Sequence, residues 1–379
     1  MRFSRAVQEI PQSGIREVME LSRSVEDAIH LEVGDPSFAT PPHVVEAAAR
    51  AARDGWTRYV PSAGIPALRE AIADKLRKHN GVEVEPGQVI VTAGGVGAVH
   101  TAMAAVLEPG DEILLPDPGW PNFRMIAGVL HARERLYPLR AERGFLPEVE
   151  DLERACGSRT RAVLINSPSN PLGTIIPAER LREMVEFAAR RDLWVISDEC
   201  YDQVAFDDTF ASAAAVGDPG RVLGCYTFSK TYAMTGWRVG YLAGPPAAAP
   251  LGDKLQQALV SCVNAPAQMA ALAALTGPQD AVAEMRETYR ERRDAVLALL
   301  AEHDTGCLRP AGAFYAWIDV RGRAPSAHRF AVELLRQQRV AVAPGTAFGP
   351  AGEGWVRISL ATDTDLLLEG TRRLARFSV

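Results

Sequence analysis

Short apolar runs alternate with amphipathic stretches from residue 89 to residue 197, and this alternation limits the possible folds more than any other feature. Each apolar run is short and continuous, as parallel strands are when helices cover both faces of the sheet. The predicted strands are 89–92, 112–115, 162–166 and 193–197, and the helices between them are 96–107, 121–130 and 177–190. The pattern predicts an α/β fold with a mainly parallel, helix-covered sheet, which binds ligands at the carboxyl ends of its strands.

The chain on either side of this region has a different pattern of predicted helices and strands. Two helices that begin with a proline are predicted before it, at 42–53 and 66–79. The elements predicted after residue 243 are helices 251–275, 280–303, 326–338 and 363–377, and strands 316–320, 340–343 and 355–360. We therefore predict a large domain at 42–285 and a smaller α+β domain made of residues 1–41 and 286–379.

The composition is that of an ordinary soluble globular protein, with 47% apolar and 23% charged residues among 379. A net charge of −6 argues against nucleic acid or an anionic membrane as the main partner. No apolar run approaches the roughly 20 residues of a membrane span, and the first residues lack the apolar segment of a signal peptide. The five cysteines have neither CxxC nor His/Cys spacing, so we expect reduced thiols in a cytoplasmic protein without a metal site.

One of the four lysines stands apart from the others. Lys75, Lys78 and Lys254 belong to charged helical patterns, whereas Lys230 interrupts an apolar stretch. A lysine in a partly desolvated site has a lowered pKa, because burial disfavours the ammonium form. The free amine can attack a carbonyl carbon and hold it as a Schiff base. The alternative is a lysine that merely extends to water from the end of a strand.

The residues around this lysine suit a phosphate group. Thr227 and Ser229 supply hydroxyls just before Lys230, and Arg238 follows it by eight positions. Hydroxyls together with a fixed guanidinium are suitable ligands for a dianionic phosphate. Because pyridoxal 5′-phosphate is an aldehyde that carries a phosphate, the stretch predicts an attachment site for this cofactor.

A glycine-rich segment, Gly94-Gly95-Val96-Gly97, lies between a predicted strand and a predicted helix. Glycines there let backbone N–H groups approach an anion at the helix N-terminus. The alternative is a dinucleotide-binding fingerprint. For that fingerprint the segment lacks the third small residue, because position 100 is histidine. It also lacks the acidic residue that binds ribose. The segment therefore favours a phosphate cradle.

Asp198 directly follows an apolar strand, so its carboxylate is predicted to lie at the ligand-binding edge. A carboxylate there can keep a pyridine nitrogen protonated, which makes the ring a better electron sink. Tyr201, three residues later, and Asn170, on a turn after another strand, are candidate donors to the ring oxygen. The alternatives for Asp198 are an Asx cap and a metal pair with Asp202, although no further ligand lies at metal spacing.

In this order and spacing, the motifs resemble those of fold-type I pyridoxal-phosphate enzymes, specifically class I/II aminotransferases of the aspartate aminotransferase superfamily. The motifs that carry the resemblance are Asn170-Pro171-x-Gly173, Asp198-Glu199-x-Tyr201, and Ser229-Lys230 with Gly236-Trp237-Arg238-x-Gly240-Tyr241. The resemblance extends from about residue 31 to residue 360, which is nearly the whole chain.

The resemblance implies a role for each of these residues. Lys230 is expected to be the Schiff-base lysine and proton carrier, and Asp198 the partner of the pyridinium nitrogen. Tyr201 and Asn170 are expected to donate hydrogen bonds to the ring oxygen. The expected phosphate ligands are Thr227, Ser229, Arg238 and the backbone of Gly95 and Val96.

Further roles follow from the resemblance alone. Trp120 matches the aromatic residue that stacks on the cofactor ring, with an ordinary core tryptophan as the alternative. Arg357 matches the residue that binds the substrate α-carboxylate, together with Asn170. Gly34 matches the glycine whose missing side chain makes room for the substrate. Tyr59 matches the tyrosine that reaches the phosphate of the neighbouring subunit, which implies a homodimer.

Two positions depart from the family pattern. Leu172 replaces the threonine that is common after Asn-Pro, which removes a hydroxyl but leaves the turn intact. Val96 offers no polar side chain at the phosphate loop, so only its backbone can contribute.

These expectations together predict a pyridoxal-phosphate-dependent aminotransferase of amino-acid metabolism. It is expected to move an amino group between an α-amino acid and a 2-oxo acid by a ping-pong Schiff-base mechanism, with the small domain closing over the site. One alternative is a lyase, such as a C–S lyase, that acts at Cα or Cβ on the same fold. The other is a regulator that binds the cofactor, although about 40 residues before the large domain are too few for a winged-helix DNA-binding domain.

Overall fold

A computed structural model describes residues 3–8, 10, 14–207 and 209–379. The strands are β1 Ile29–His30, β2 Val89–Thr92, β3 Glu112–Asp117, β4 Arg133–Pro138, β5 Thr160–Asn166, β6 Trp194–Asp198, β7 Val222–Thr227, β8 Gly240–Ala243, β9 Cys307–Leu308, β10 Tyr315–Asp319, β11 Val340–Ala341, β12 Ala343–Pro344 and β13 Trp355–Ser359. The helices are α1 Arg5–Gln8, α2 Gly14–Ser22, α3 Pro42–Arg53, α4 Pro66–Lys75, α5 Gly94–Val106, α6 Pro121–Val129, α7 Val149–Ala155, α8 Ala178–Arg190, α9 Ala213–Val216, α10 Ala249–Leu259, α11 Ala265–Thr276, α12 Asp280–Ala301, α13 Ala327–Gln338 and α14 Thr364–Arg376.

Seven strands form one sheet in the order β2-β8-β7-β6-β5-β3-β4. β8 is antiparallel to both of its neighbours, and every other neighbouring pair is parallel. Almost all side chains of β3, β5 and β6 are buried, as expected when helices cover both faces of a sheet. The prediction of an α/β fold with a mainly parallel, helix-covered sheet is therefore confirmed.

Two smaller sheets complete the fold. β12, β13, β10 and β9 form an antiparallel sheet in that order, and β1 pairs in parallel with β11. Residues 29–30 thus lie on the carboxyl-terminal part of the chain. The domain limits at 41/42 and 285/286 remain a prediction. Among the described residues, none of the helices is both long and apolar enough to cross a bilayer.

The single long helix predicted at 251–275 is wrong. The chain forms α10 and α11 there, with residues 260–264 between them. Pro266 is the reason for the break, because it lacks an N–H and its ring would clash with the carbonyl of Cys262 in a continuous helix. The Asn264 side chain accepts a hydrogen bond from the backbone N–H of Ala267 and so caps the new helix.

Other elements also differ from the sequence patterns. The strand predicted at 340–343 is two strands, β11 and β12, which belong to different sheets. The helix predicted at 66–79 consists of α4 and a following π-helical turn, Leu76–Asn80. β4 and α7 were not predicted, because β4 is an edge strand with polar, partly exposed side chains and α7 is only seven residues long.

The strand ends position the candidate site. The register places Asn166 opposite Asp198, and Asp198 opposite Cys225. The carboxyl ends of β5, β6 and β7 therefore meet at one edge of the sheet, where parallel sheets bind ligands.

Candidate active site

A cavity of about 220 Å³ opens at this edge. It is lined by Gly95, Val96, Trp120, Asn166, Asn170, Asp198, Cys200, Tyr201, Thr227, Ser229, Lys230, Thr235 and Arg238. Ten of these residues were predicted from the sequence, and Asn166, Cys200 and Thr235 were not. Five elements converge here, because the residues follow β3, β5, β6 and β7 or begin α5.

Lys230 lies in the cavity three residues after the end of β7. Its Nζ donates a hydrogen bond to the backbone oxygen of Gly34 over 2.7 Å, and it forms no ion pair with the described carboxylates. Lys75, in contrast, is paired with Asp202, and Lys78 is exposed beside Asp74. Lys230 is therefore a partly buried amine that no carboxylate in the described part of the chain neutralises, which suits a nucleophile.

Asp198 ends β6 and is only 3% exposed. Its Oδ1 accepts a hydrogen bond from the backbone N–H of Cys200 over 3.2 Å. Burial raises the pKa of the Asp198 carboxyl to about 6, because desolvation disfavours the carboxylate. A positively charged ligand nitrogen beside this oxygen pair would stabilise the ionised form.

The metal-pair alternative for Asp198 is not supported. Asp202 forms an ion pair with Lys75 and accepts a hydrogen bond from Asn80 Nδ2 over 3.0 Å. No cluster of three or more metal-ligand side chains occurs within the described part of the chain. Asp202 is therefore engaged in a buried ion pair and does not line the cavity.

The buried neighbour Glu199 was named only as part of a motif. Its Oε1 accepts hydrogen bonds from the hydroxyls of Ser197 and Ser212, each over 2.9 Å, and from the Ala213 N–H over 3.1 Å. Burial raises the pKa of Glu199 to about 7. These bonds fasten the segment that carries Asp198 and Tyr201 to α9.

The opposite end of the cavity collects groups that can bind an anion. Arg238 donates to the backbone oxygens of Thr235, over 2.9 Å, and Ala93, over 3.4 Å. The Thr227 hydroxyl donates to the Ser229 hydroxyl over 2.8 Å. The N-terminus of α5 faces the same point, and Gly94 there has φ of +77°. A Cβ at Gly94 would overlap the Arg238 guanidinium, so glycine lets the guanidinium stay in this position.

Arg357 lies in β13 with 2% of its surface exposed. It donates from Nη1 to Asn170 Oδ1 over 2.9 Å and from Nη2 to the backbone oxygen of Glu32, while its buried Nε has no protein partner among the described residues. Asp319, on the neighbouring strand β10, is not its partner, because Asp319 pairs with Arg321. A buried cation without a carboxylate is costly, and an incoming carboxylate would relieve that cost.

Aromatic rings enclose this guanidinium. Its Cζ lies 4.3 Å from the ring centre of Tyr315 and 4.9 Å from that of Phe348. The Tyr315 hydroxyl also lies 2.8 Å from the Tyr201 hydroxyl. Tyr315, Phe348 and Glu32 were not predicted from the sequence. The only sequence signal was the aromatic pair Phe314-Tyr315 directly before a strand-like run.

The remaining predicted residues lie in different surroundings. A Cβ at Gly34 would overlap the Tyr315 hydroxyl, so glycine is required at that position. Trp120 lines the cavity and packs edge-on against Phe123, with ring centres 5.4 Å apart. Tyr59 is 87% exposed and does not line the cavity of its own chain.

The fold and the cavity define a class of protein, in which a lysine follows a strand of a mainly parallel sheet and faces a buried carboxylate and an anion cradle. Comparison with known proteins then gives the family. The family model for aminotransferase class I and II matches residues 26–374, and the chain belongs to this family. The family is dependent on pyridoxal phosphate in general.

The similar proteins are named as aminotransferases, and the similarity covers nearly their whole length. The chain is 37% identical over 370 residues to the aspartate aminotransferase of Pyrococcus horikoshii, which covers 97% of this chain and 95% of that protein. It is 39% identical over 385 residues to the aspartate/prephenate aminotransferase of Thermus thermophilus, with 99% and 98% covered. A solved structure of a Thermus thermophilus aspartate aminotransferase double mutant superimposes with a TM-score of 0.94 at 38% identity, over 99% and 100% of the chains.

The protein is therefore an aminotransferase, as predicted. The names of the relatives favour amino-group transfer over the lyase and the regulator that the sequence left open.

Proposed function

We propose that the 220 Å³ cavity binds pyridoxal 5′-phosphate and that the protein moves an amino group between an α-amino acid and a 2-oxo acid. The observation that carries the proposal is Lys230, an amine that faces the cavity and has no acidic partner among the described residues. The residues also fit the cofactor chemically. Asp198 is a buried carboxylate for the ring nitrogen, and the cradle of Arg238, two hydroxyls and a helix N-terminus suits the phosphate.

The bound cofactor would supply an aldehyde that takes up the amino group and a ring that withdraws electrons. Lys230 would hold the cofactor and afterwards carry the proton at the substrate Cα. Asp198 would keep the ring nitrogen positively charged. Tyr201 and Asn170 would donate to the ring oxygen, since Asn170 already directs its Oδ1 to Arg357 and so leaves its amide N–H groups for the cavity.

Arg357 supports an α-amino acid as the substrate. Its guanidinium is held by Asn170 and by the Glu32 backbone, and its buried Nε is left for a ligand. A carboxylate that binds a guanidinium bidentately gains geometric specificity as well as energy. Gly34 contacts Tyr315, and its missing side chain makes room for the Tyr315 hydroxyl.

We also propose a homodimer in the cytoplasm. An open cleft of about 730 Å³ adjoins the cavity at Thr235 and Arg238. A second copy would cover this cleft and place the partner subunit's Tyr59 at the phosphate, which accounts for a tyrosine that is 87% exposed in one chain. The five cysteines form no disulfide, which supports a reducing compartment.

Substrate screening with purified protein tests this function. We would load the protein with pyridoxal 5′-phosphate and follow its visible absorbance during single additions of amino donors, then of 2-oxoglutarate or pyruvate. Aspartate and aromatic amino acids are the first donors to test, because relatives are named aspartate/prephenate and aromatic aminotransferases. The proposal predicts reversible absorbance changes, with one oxo acid formed for each amino acid consumed. Release of ammonia with no recovery on adding an oxo acid would contradict it.

A further inference from the structure

Tyr315 contacts both halves of the candidate site without lining its cavity. It begins β10, is buried, and pairs across the sheet with Ser359 of β13. Its hydroxyl lies 2.8 Å from the Tyr201 hydroxyl, and its ring centre lies 4.3 Å from Arg357 Cζ. One side chain therefore supports the residue proposed to donate to the cofactor ring oxygen and the residue proposed to bind the substrate carboxylate.

The cavity determines the direction of the bond between the two tyrosines. Tyr201 faces the cavity and Tyr315 lies behind it. A hydroxyl has one proton to donate, and in the proposed function Tyr201 donates it to the ring oxygen. Tyr315 must then be the donor in the 2.8 Å bond, and Tyr201 the acceptor. Successive hydrogen bonds polarise one another, so this bond makes Tyr201 a stronger donor.

We propose that Tyr315 is a positioning residue that acts through two separate groups, its hydroxyl on Tyr201 and its ring on Arg357. The inference rests on the proposed function. The hydroxyl also fills the space above Gly34, whose backbone oxygen accepts from Lys230. Phe348 contacts the guanidinium as well, at 4.9 Å, but no hydrogen bond links Phe348 to Tyr201.

Two kinds of measurement separate the two groups. The first is the pH midpoint of the visible absorbance of the cofactor-loaded protein. A donor to the ring oxygen favours the negatively charged oxygen and lowers this midpoint, so weaker donation raises it. The second is the dissociation constant of a carboxylic acid that binds without reacting, which reports on Arg357.

Tyr315→Phe removes the hydroxyl and keeps the ring. We expect a raised absorbance midpoint, in the direction of Tyr201→Phe but by roughly a tenth to a third as much, because a neighbouring bond strengthens donation by roughly 10–30%. The carboxylate dissociation constant should change less than about twofold, because the ring stays over Arg357. Phe348→Leu should do the reverse, with an unchanged midpoint and carboxylate binding weakened about tenfold.

Tyr289→Phe is the matched control. Tyr289 belongs to the same buried aromatic cluster, with its ring centre 5.0 Å from that of Phe314, and its hydroxyl has no partner among the described residues. It should change neither measurement. If Tyr201→Phe raises the midpoint and Tyr315→Phe leaves it at the wild-type value, the coupling through the hydroxyl is wrong. If the wild-type protein shows no visible absorbance from cofactor bound to Lys230, the proposed function is wrong, and this inference with it.

Discussion

Burial of the Asp198 carboxylate lowers the free energy of unfolding of the protein before any ligand binds. The pKa of its carboxyl in the folded protein, about 6, is higher than in an unfolded chain. The cost of the folded carboxylate is therefore fully present above pH 6 and disappears as the pH falls below about 4. Asp198→Asn removes the charge and keeps the shape.

We therefore expect Asp198→Asn to stabilise the cofactor-free protein at pH 8 by about 3 kcal/mol, and by about half as much at pH 5. Urea unfolding of the cofactor-free wild type and variant at both pH values measures the difference. A gain of the same size at both pH values, or a loss at pH 8, would contradict the assigned pKa. The same substitution should weaken the activity of the loaded protein, because a neutral amide does not stabilise a protonated ring nitrogen.

Removing either of two arginines should impair different properties of the protein. Arg238→Ala should weaken cofactor binding, because Arg238 lines the cavity and is proposed to bind the phosphate. Arg357→Ala should leave cofactor content near normal but lower kcat/KM for amino and oxo acids by about 10²–10⁴, since a buried charge-assisted pair is lost. Amines without an α-carboxylate should be affected far less. Equal losses for amino acids and such amines would remove Arg357 from the substrate site.

Most candidate residues were predictable one at a time, because each follows a strand or belongs to a motif of the family. Lys230, Asp198 and Asn170 are of this kind. Tyr315 was not predictable, since its partner Tyr201 is 114 positions away and no local pattern links them. Glu32 acts through its backbone oxygen, for which no side-chain signal exists.

At the level of elements, the N-terminus of α5 and the turn that carries Arg238 interlock. Gly94 has a positive φ and no room for a Cβ beside the Arg238 guanidinium. Gly97, on the same helix, has ordinary φ, and a Cβ there would lie 3.4 Å from Thr92 Cβ.

We expect Gly94→Ala to displace Arg238 and to weaken pyridoxal 5′-phosphate binding by about 10- to 100-fold, the effect of losing roughly 1.5–3 kcal/mol of charge-assisted hydrogen bonding. Gly97→Ala is the matched control and should bind the cofactor as the wild type does. Titration with pyridoxal 5′-phosphate and with pyridoxal, which lacks the phosphate, measures the effect. Similar weakening for both ligands would show that Gly94→Ala disturbs more than the phosphate cradle.

Periodicity predicted the existence of most elements but not where they break. Strands β2, β3, β5 and β6 of the large sheet were predictable because they are continuous apolar runs, whereas the polar edge strand β4 was not. The long pattern at 251–275 concealed a break, since the alanines and leucines on both sides of 260–264 keep a helical texture across Pro266. Pairing partners are set by tertiary packing, which is why the split between β11 and β12 was not visible in the sequence.

At the level of the whole molecule, the proposed dimer predicts that each site takes residues from two chains. Lys230→Ala and Tyr59→Ala homodimers should each lack a complete site. A hybrid of the two variants should regain one site, in which Lys230 comes from one chain and Tyr59 from its partner. Covalently bound cofactor per hybrid dimer, measured at limiting pyridoxal 5′-phosphate, should approach one. Hybrids that bind the cofactor as weakly as the Tyr59→Ala homodimer would indicate that each site is built from one chain.

Lys230 is proposed to hold the cofactor covalently, and chemical reduction of the loaded protein can identify the labelled lysine. The protein would be loaded with pyridoxal 5′-phosphate, reduced with borohydride, digested and mapped by mass spectrometry. We predict one stable label per chain, on the peptide that contains Lys230, and no label in Lys230→Ala, which should still fold and bind the cofactor without a covalent bond. A stable label on Lys75, Lys78 or Lys254 of the wild-type protein would contradict the account.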